Sequence, residues 1–132
     1  MVKTLVVEDS VVFRQSLKDL LTSRFPSMVI EEATDGEEAL QKIDVSVPDL
    51  IFMDIKLPGE NGLQITKKLR NQYRDVSIII LTYYDSPEHR KAAFEYGATH
   101  FLSKGTAGED IVGVVQSILA GKRPFCQDAG SD

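Results

Sequence analysis

Hydrophobic residues along the chain fall into short continuous runs that are separated by longer amphipathic stretches. Residues 5–7, 50–53 and 78–81 are apolar throughout and rich in β-branched side chains. Such runs are typical of strands covered on both faces, as in parallel sheets. Residues 28–34 and 99–102 are more polar. They fit the edge strands of the same sheet.

Helical patterns lie between these runs. Apolar residues recur at three- and four-residue spacing in three groups: Phe13, Leu17, Leu20 and Leu21; Ala39, Leu40 and Ile43; Ile111, Val114, Val115, Ile118 and Leu119. Signals for helix ends accompany them, namely Ser86 before Pro87, possible capping boxes at Thr34 with Glu37 and Thr106 with Glu109, and closing glycines at Gly97 and Gly121. Five βα units of this kind predict an α/β fold with a doubly wound, five-stranded parallel sheet.

Length and composition fit one domain with a short tail. The chain has 132 residues, and residues 123–132 are predicted to be a C-terminal tail or the start of a linker. A formal net charge of -5 argues against direct nucleic acid binding, which needs a basic face. No apolar run is long enough for a membrane span, and a single cysteine, Cys126, suits a reducing compartment. A cytoplasmic protein is therefore expected.

Residues whose side chains can bind ligands or take part in a reaction follow four of the five predicted strands. Glu8 and Asp9 follow the first, Asp54 the third, Thr82 the fourth and Lys104 the fifth. Open α/β sheets place their sites at these carboxyl ends. Crowded carboxylates need a compensating charge, and oxygen ligands suit Mg²⁺ or Mn²⁺.

Each of these residues also has a simpler explanation. Glu8 and Asp9 suit the N-terminus of the helix that begins near Ser10, Thr82 has a high β-propensity, and Lys104 suits a solvated strand end. None of these explanations accounts for Asp54. Together the residues provide what phosphoryl transfer to a carboxylate requires, with a nucleophile, a cation site and two groups for phosphoryl oxygens.

Several motifs occur in a characteristic order and spacing. They are Glu8-Asp9-Ser10, the stretch from Pro48 to Asp54, Leu57-Pro58-Gly59 with Gly62, Leu81-Thr82, Gly97-Ala98 and Lys104. In these features residues 1–122 closely resemble the receiver domains of bacterial two-component response regulators. The resemblance implies a flavodoxin-like (βα)5 fold with strand order 2-1-3-4-5.

The resemblance also implies a function. Asp54 would accept a phosphoryl group from a sensor histidine kinase or a small phosphodonor, with Mg²⁺ held by Glu8, Asp9, Asp54 and the backbone carbonyl of Lys56. Thr82 and Phe101 would carry the switch, and phosphorylation would favour a homodimer. The protein would be a phosphoacceptor switch and not an enzyme, limited to self-phosphorylation and slow autodephosphorylation.

The sequence departs from the family pattern at three positions. Phe101 lacks the hydroxyl of the commoner tyrosine, and Gly105 replaces a common proline, which removes the usual cause of a cis peptide bond there. Tyr83 stands where a small residue is common. With Tyr84 and Lys56 it is expected to restrict the access of water to the site and to slow the loss of phosphate. Packing of Tyr83 over the sheet edge is the alternative.

Residues 100–105 and 119–122 look more like receivers that carry a helix-turn-helix DNA-binding domain than like free-standing ones. The chain is therefore interpreted as a receiver fragment of a transcription regulator, with a single-domain regulator as the alternative. Three other functions fit the sequence less well. A phosphatase would need an acid where Lys56 stands, a flavin carrier would need a glycine-rich phosphate loop after the first strand, and a phosphorylation-independent pseudo-receiver would not need clustered acids.

Overall fold

The computed structural model describes residues 2–121, in which five strands alternate with five helices. In chain order they are β1 Lys3–Val7, α1 Val11–Arg24, β2 Val29–Ala33, α2 Gly36–Val45, β3 Leu50–Met53, α3 Gly62–Gln72, β4 Ser77–Thr82, α4 Pro87–Glu95, β5 His100–Ser103 and α5 Gly108–Gly121. The predicted tail at 123–132, with Cys126, lies outside the described residues.

All five strands are parallel, and their order is β2-β1-β3-β4-β5. The predicted fold class and strand order are confirmed. Val7 pairs with Ala33 on one side and with Met53 on the other, so β1, β2 and β3 end at the same level. Thr82 pairs with Ser103 in the same way at the other half of the sheet. One edge of the sheet therefore collects the residues that follow all five strands.

The sheet has a hydrophobic core on each face. Leu5, Ile51 and Ile78 belong to the cluster on one face, while Val6 and Phe52 belong to the cluster on the other. Every residue of β3 and β4 is buried. Strands covered on both faces read as continuous apolar runs, which is why the pattern in the sequence identified them. The edge strand β2 is only partly buried, as its polarity predicted.

The ends of α4 match their sequence signals. Ser86 is the N-cap, with its hydroxyl accepting a hydrogen bond from the backbone N–H of His89, and Pro87 is the first helical residue. After the helix, Gly97 has a φ of 110°, a conformation that L side chains rarely adopt. Both predicted boundaries of this helix are therefore confirmed.

The predicted capping box at Thr34 and Glu37 is wrong by one residue. Asp35 is the N-cap of α2 and accepts from the backbone N–H of Glu38. Glu38 in turn accepts from the backbone N–H and the hydroxyl of Thr34. Aspartate and threonine both serve as N-caps, so residue type alone did not separate two adjacent candidates.

The second predicted capping box, at Thr106 and Glu109, is also wrong. The helix α5 begins at Gly108, and the carbonyl of Ala107 accepts its first backbone hydrogen bonds. The Glu109 carboxylate instead accepts from Arg24 of α1 at 2.5 Å. This pairing joins two helices that are distant in sequence, which local capping rules do not register.

Within residues 2–121, none of the helices combines the length and the apolar character that crossing a bilayer requires.

Candidate functional site

Backbone hydrogen bonds between neighbouring strands fix the residues that leave the carboxyl edge of the sheet. The N–H of Glu8 donates to the carbonyl of Ala33 on β2 at 2.9 Å, and the N–H of Asp54 donates to the carbonyl of Val7 on β1 at 3.2 Å. The N–H of Lys104 donates to the last carbonyl of β4 at 2.9 Å. The side chains that follow the strands thus start from well-defined backbone positions.

The three predicted acids converge at this edge. Glu8, Asp9 and Asp54 each offer a carboxylate oxygen, and these oxygens lie within 4.8 Å of one another. Glu8 and Asp54 are only 3% and 6% exposed, whereas Asp9 is open to solvent. The predicted convergence of acids from two adjacent strands is what the coordinates show.

Lys104 reaches into this cluster from β5. Its Nζ lies 2.7 Å from Glu8 Oε1 and 2.9 Å from Asp54 Oδ2, and its side chain is 4% exposed. Burial raises the pKa of Glu8 above its usual value, against the opposing effect of its hydrogen bonds to Lys104 and Ser10. Burial disfavours the charged form of Lys104, but the hydrogen bonds to both carboxylates outweigh it and raise the pKa of the ammonium. Lys104 therefore stays charged.

Two aromatic rings cover the Lys104 ammonium. Nζ lies 4.5 Å from the ring centroid of Phe13 and 5.0 Å from that of Tyr83. Distances of this size allow cation–π attraction, which is stronger where the cation is shielded from water. The rings help to explain how a charged side chain at the edge of a sheet is almost completely buried.

The charges and the free oxygen at the site fit a divalent cation. Three carboxylates against the single positive charge of Lys104 leave two negative charges uncompensated. Asp54 Oδ1 is buried and has no hydrogen-bond partner within the described part of the chain. Buried polar atoms normally have partners, and carboxylate oxygens are ligands for hard cations. Glu8, Asp9 and Asp54 form an acidic cluster typical of receiver magnesium sites.

Ser10, and not Glu8 or Asp9, is the N-cap of α1. Its hydroxyl accepts from the backbone N–H of Phe13 at 3.3 Å, which makes it the N-cap of α1. Glu8 Oε2 accepts from the backbone N–H of Ser10 at 3.0 Å. One oxygen of Glu8 is thus tied to the start of the helix, while its other oxygen faces Lys104.

The residues after β3 and β4 flank the cluster. Thr82 is fully buried, and its hydroxyl accepts from the backbone N–H of Tyr84 at 3.2 Å. Tyr83 is 71% exposed, and its predicted effect on water access stays a prediction, as does the alternative of packing over the sheet edge. Lys56 Nζ lies 6.0 Å from the ring centroid of Tyr84. The predicted metal contact through the Lys56 carbonyl stays a prediction.

Phe101 points into the protein. Its side chain is 5% exposed, and the Arg90 guanidinium of α4 lies 4.7 Å from its ring centroid. Arg90 also donates to the Phe101 carbonyl at 3.4 Å.

Gly105 donates its N–H to the Ser103 hydroxyl, and the peptide bonds of residues 2–121 are all trans.

Two further residues shape the site and were not predicted to do so. A Cβ built on Gly62 would lie 1.9 Å from the backbone oxygen of Asp54, so only glycine allows α3 to start this close behind the acid. Phe13 had been assigned only to the apolar face of α1, yet it also covers Lys104. Gly62 stood in the quoted motif, whereas nothing in the local sequence connects Phe13 with a lysine on β5.

Comparison with known proteins identifies the class of protein that this sheet and its acidic edge represent. The chain belongs to the response regulator receiver domain family, which it matches over residues 4–116. It is thus a receiver domain of the kind found in two-component response regulators. This family is not a classical enzyme family.

Relatives and solved structures agree with this assignment. The chain is 30% identical over 128 residues to the response regulator UvrY of Escherichia coli K12, covering 97% of this chain and 59% of that protein. It is 36% identical over 110 residues to the transcriptional regulatory protein YhcZ of Bacillus subtilis, covering 83% of this chain and 51% of that protein. The chain thus spans little more than half the length of these relatives.

The fold superimposes well on solved structures of the family. A two-component response regulator from Clostridium difficile gives a TM-score of 0.88 at 28% identity, covering 94% of this chain and all of that one (100%). The signal receiver domain of NarL from Mycobacterium tuberculosis gives 0.81 at 30% identity, covering 91% and 97%. The proteins similar to this chain thus include a transcriptional regulatory protein, YhcZ.

Proposed function

We propose that Asp54 accepts a phosphoryl group from a histidine kinase, in a reaction that depends on Mg²⁺ or Mn²⁺, and that the receiver then switches an output. One observation carries this proposal. The two oxygens of the buried Asp54 carboxylate differ, because Oδ2 is bound by Lys104 while Oδ1 has no partner within residues 2–121. A divalent cation on Oδ1 would let Lys104 leave Oδ2, and Oδ2 would then be available as the nucleophile.

The transfer itself is a simple substitution at phosphorus. An Asp54 oxygen forms a new bond to phosphorus while the bond from phosphorus to the donor atom breaks, and the bonding electron pair leaves with the donor. The donor atom is the imidazole nitrogen of a phosphohistidine or the acyl oxygen of acetyl phosphate. Lys104 then neutralises part of the charge on the phosphoryl oxygens.

Glu8, Asp9 and Asp54 would hold the cation, together with the backbone carbonyl of Lys56. When bound, a divalent cation supplies charge neutralisation for the phosphoryl oxygens. Glu8 is shared between this role and its hydrogen bond to Lys104, which lies at 2.7 Å. Lys104 is therefore free to turn toward the phosphoryl group once the acids have another counter-charge.

The switch would connect the phosphorylated site with α4 and β5. Thr82 moves its hydroxyl from the N–H of Tyr84 to a phosphoryl oxygen, and Phe101 packs behind it. Phe101 is already buried, with the Arg90 guanidinium 4.7 Å from its ring centroid, and phosphorylation would shift the equilibrium between this packing and a second one. The phenylalanine makes no hydroxyl hydrogen bond in either packing, so this step relies on apolar packing alone.

The output would be transcription control through a DNA-binding domain elsewhere in the longer protein, with phosphorylation favouring a homodimer of receivers. Support comes from the similarity to UvrY, YhcZ and NarL, whose names describe regulators. The acidic net charge of -5 suits a role away from DNA for this part of the chain. A sensor histidine kinase is the proposed partner, and the cytoplasm is the proposed location.

Catalysis for an external substrate is not part of this proposal. A phosphatase that uses an aspartate nucleophile needs a nearby acid to protonate the leaving group, and Lys56 occupies the position two residues after Asp54. Self-phosphorylation and slow loss of phosphate are the reactions that the site supports.

The proposal is tested by intact-mass measurement after incubation with acetyl phosphate and Mg²⁺. The wild-type protein should gain one phosphoryl group, and Asp54→Asn should gain none. Asp49→Asn is the matched control, because Asp49 lies just before the same strand at the opposite edge of the sheet and binds the N–H of Lys3. It should be modified like the wild type.

Chelation of the divalent cation should abolish the mass gain of the wild type and of Asp49→Asn. Equal modification of wild type and Asp54→Asn would refute Asp54 as the acceptor. A folded wild type that gains no mass from acetyl phosphate or from a phosphorylated histidine kinase domain would instead favour the pseudo-receiver alternative.

A further inference from the structure

Arg14 of α1 binds the backbone of the acid pair that follows β1. Its Nη1 donates to the carbonyl of Glu8 at 2.7 Å, and its side chain is only 13% exposed. The carbonyl of Glu8 belongs to the peptide that joins Glu8 to Asp9. A bond to this oxygen therefore fixes the plane from which both carboxylate side chains extend.

Arg14 is itself held in place by Glu32 of β2. Its Nε donates to Glu32 Oε1 at 2.7 Å, and Lys18, one turn further along α1, donates to Glu32 Oε2 at 2.7 Å. The hydrogen bonds from Lys18 and Arg14 lower the pKa of the Glu32 carboxyl, which keeps it ionised near neutral pH. The Arg14 guanidinium is thus bound on one side by the Glu32 carboxylate and on the other by the backbone carbonyl of Glu8.

We infer that Arg14 is a positioning residue for the cation site, acting through the Glu8–Asp9 peptide and held by Glu32. This inference rests on the proposed function, because it assumes that Glu8 and Asp9 hold a divalent cation. Hydrogen bonds from groups outside the ligand set orient ligands and tune metal affinity in many proteins. The Arg14 side chain plays that role here from behind the acids.

If Arg14 acts only through its charge, its removal should strengthen metal binding. If it acts by positioning the acids, its removal should weaken metal binding. A positive charge near the acids repels a cation, so an effect through charge alone would make Arg14→Gln bind metal more tightly. An effect through positioning makes the same variant bind metal more weakly, since the Glu8–Asp9 peptide loses its restraint. Arg14→Lys keeps the charge but has no planar fork to bind Glu32 and the Glu8 carbonyl together.

The test is Mn²⁺ binding, measured by the electron paramagnetic resonance signal of free Mn²⁺ during titration of the metal into the protein. Arg14→Gln and Arg14→Lys should both raise the Kd for Mn²⁺ by about tenfold or more. Glu32→Gln should raise it in the same direction by a smaller factor. Lys18→Gln is the matched control, because Lys18 shares Glu32 but does not contact Glu8, and its Kd should stay within about twofold of wild type.

Circular dichroism and thermal unfolding without metal separate positioning from folding. Weaker Mn²⁺ binding by Arg14→Lys with a native spectrum supports the inference, and if Arg14→Gln fails to fold, Arg14→Lys and Glu32→Gln carry the test. Unchanged or tighter binding by folded Arg14 variants would overturn it, as would an equal loss in Lys18→Gln. Failure of the metal proposal looks different, since the wild type itself would then bind no Mn²⁺.

Discussion

Lys104 Nζ lies closer to Glu8 Oε1, at 2.7 Å, than to Asp54 Oδ2, at 2.9 Å. The lysine therefore serves as an internal counter-charge for two buried acids from β1 and β3. A charge that is buried without its partner is costly. The stability of the domain should depend on Lys104 most strongly when no metal is present.

Lys104→Met should lower the free energy of unfolding by roughly 3 kcal/mol in metal-free buffer, because Glu8 and Asp54 then face each other without compensation. Mg²⁺ should recover more stability in this variant than in the wild type. Urea unfolding with EDTA and with Mg²⁺ measures both effects. Lys68→Met, which removes a solvent-exposed pair with Glu60, should change little. Equal Mg²⁺ stabilisation of Lys104→Met and wild type would contradict the counter-charge role.

The close approach of α3 to Asp54 can be tested with two glycine substitutions. Gly62→Ala would place a Cβ 1.9 Å from the Asp54 carbonyl oxygen and should destabilise the domain by at least about 2 kcal/mol. Gly113→Ala is the control within a helix, because nothing lies within 4 Å of its Cβ position. It should stabilise α5 by up to about 1 kcal/mol. Chemical denaturation compares the two, and similar effects of both substitutions would argue against a tight fit at Gly62.

Tyr83 is expected to slow the loss of phosphate from Asp54. Its ring lies 5.0 Å from Lys104 Nζ, where it would restrict the approach of water. Tyr83→Ala should therefore lose phosphate severalfold faster, whereas Tyr83→Phe, which keeps the ring, should behave like the wild type. Decay of the phosphorylated protein followed by intact mass gives the rates. An unchanged rate in Tyr83→Ala would remove this role from the residue.

Glu32 should make the stability of the domain depend on pH under acidic conditions. The hydrogen bonds from Lys18 and Arg14 lower its pKa from the usual 4.5, so its contribution is fully present above that value and is lost as the pH falls through the lower folded pKa. Glu32→Gln cannot titrate. The stability gap between wild type and this variant should therefore shrink as the pH is lowered from about 5 to about 3. Urea midpoints across this range test it, and a constant gap would be inconsistent with the ion pairs.

Much of the fold was predictable because its physical causes are local. Burial on both faces made β3 and β4 read as continuous apolar runs, and Ser86 with Pro87 marked the start of α4. The start of α5 was not predictable, because Glu109 pairs with Arg24 at a distance of 85 residues in the sequence. Capping rules describe one helix turn and carry no information about such partners.

The candidate site likewise has residues that the sequence predicted and residues that it did not. Its acids and Lys104 were found because parallel strands must end at a shared edge, which converts strand ends in the sequence into neighbours in space. The supporting contacts of Phe13 and Arg14 were not found. Both depend on the angle at which α1 crosses the sheet, and side-chain pattern alone does not determine that angle.

The order of the strands along the chain also determines when all of the site residues are present. Glu8 and Asp54 follow the adjacent strands β1 and β3, but Lys104 follows β5, which is synthesised after the other four strands of residues 2–121. A nascent or proteolytically shortened chain that lacks β5 presents its acids without the lysine. The complete set of site residues is therefore expected to assemble only after β5 has joined the sheet.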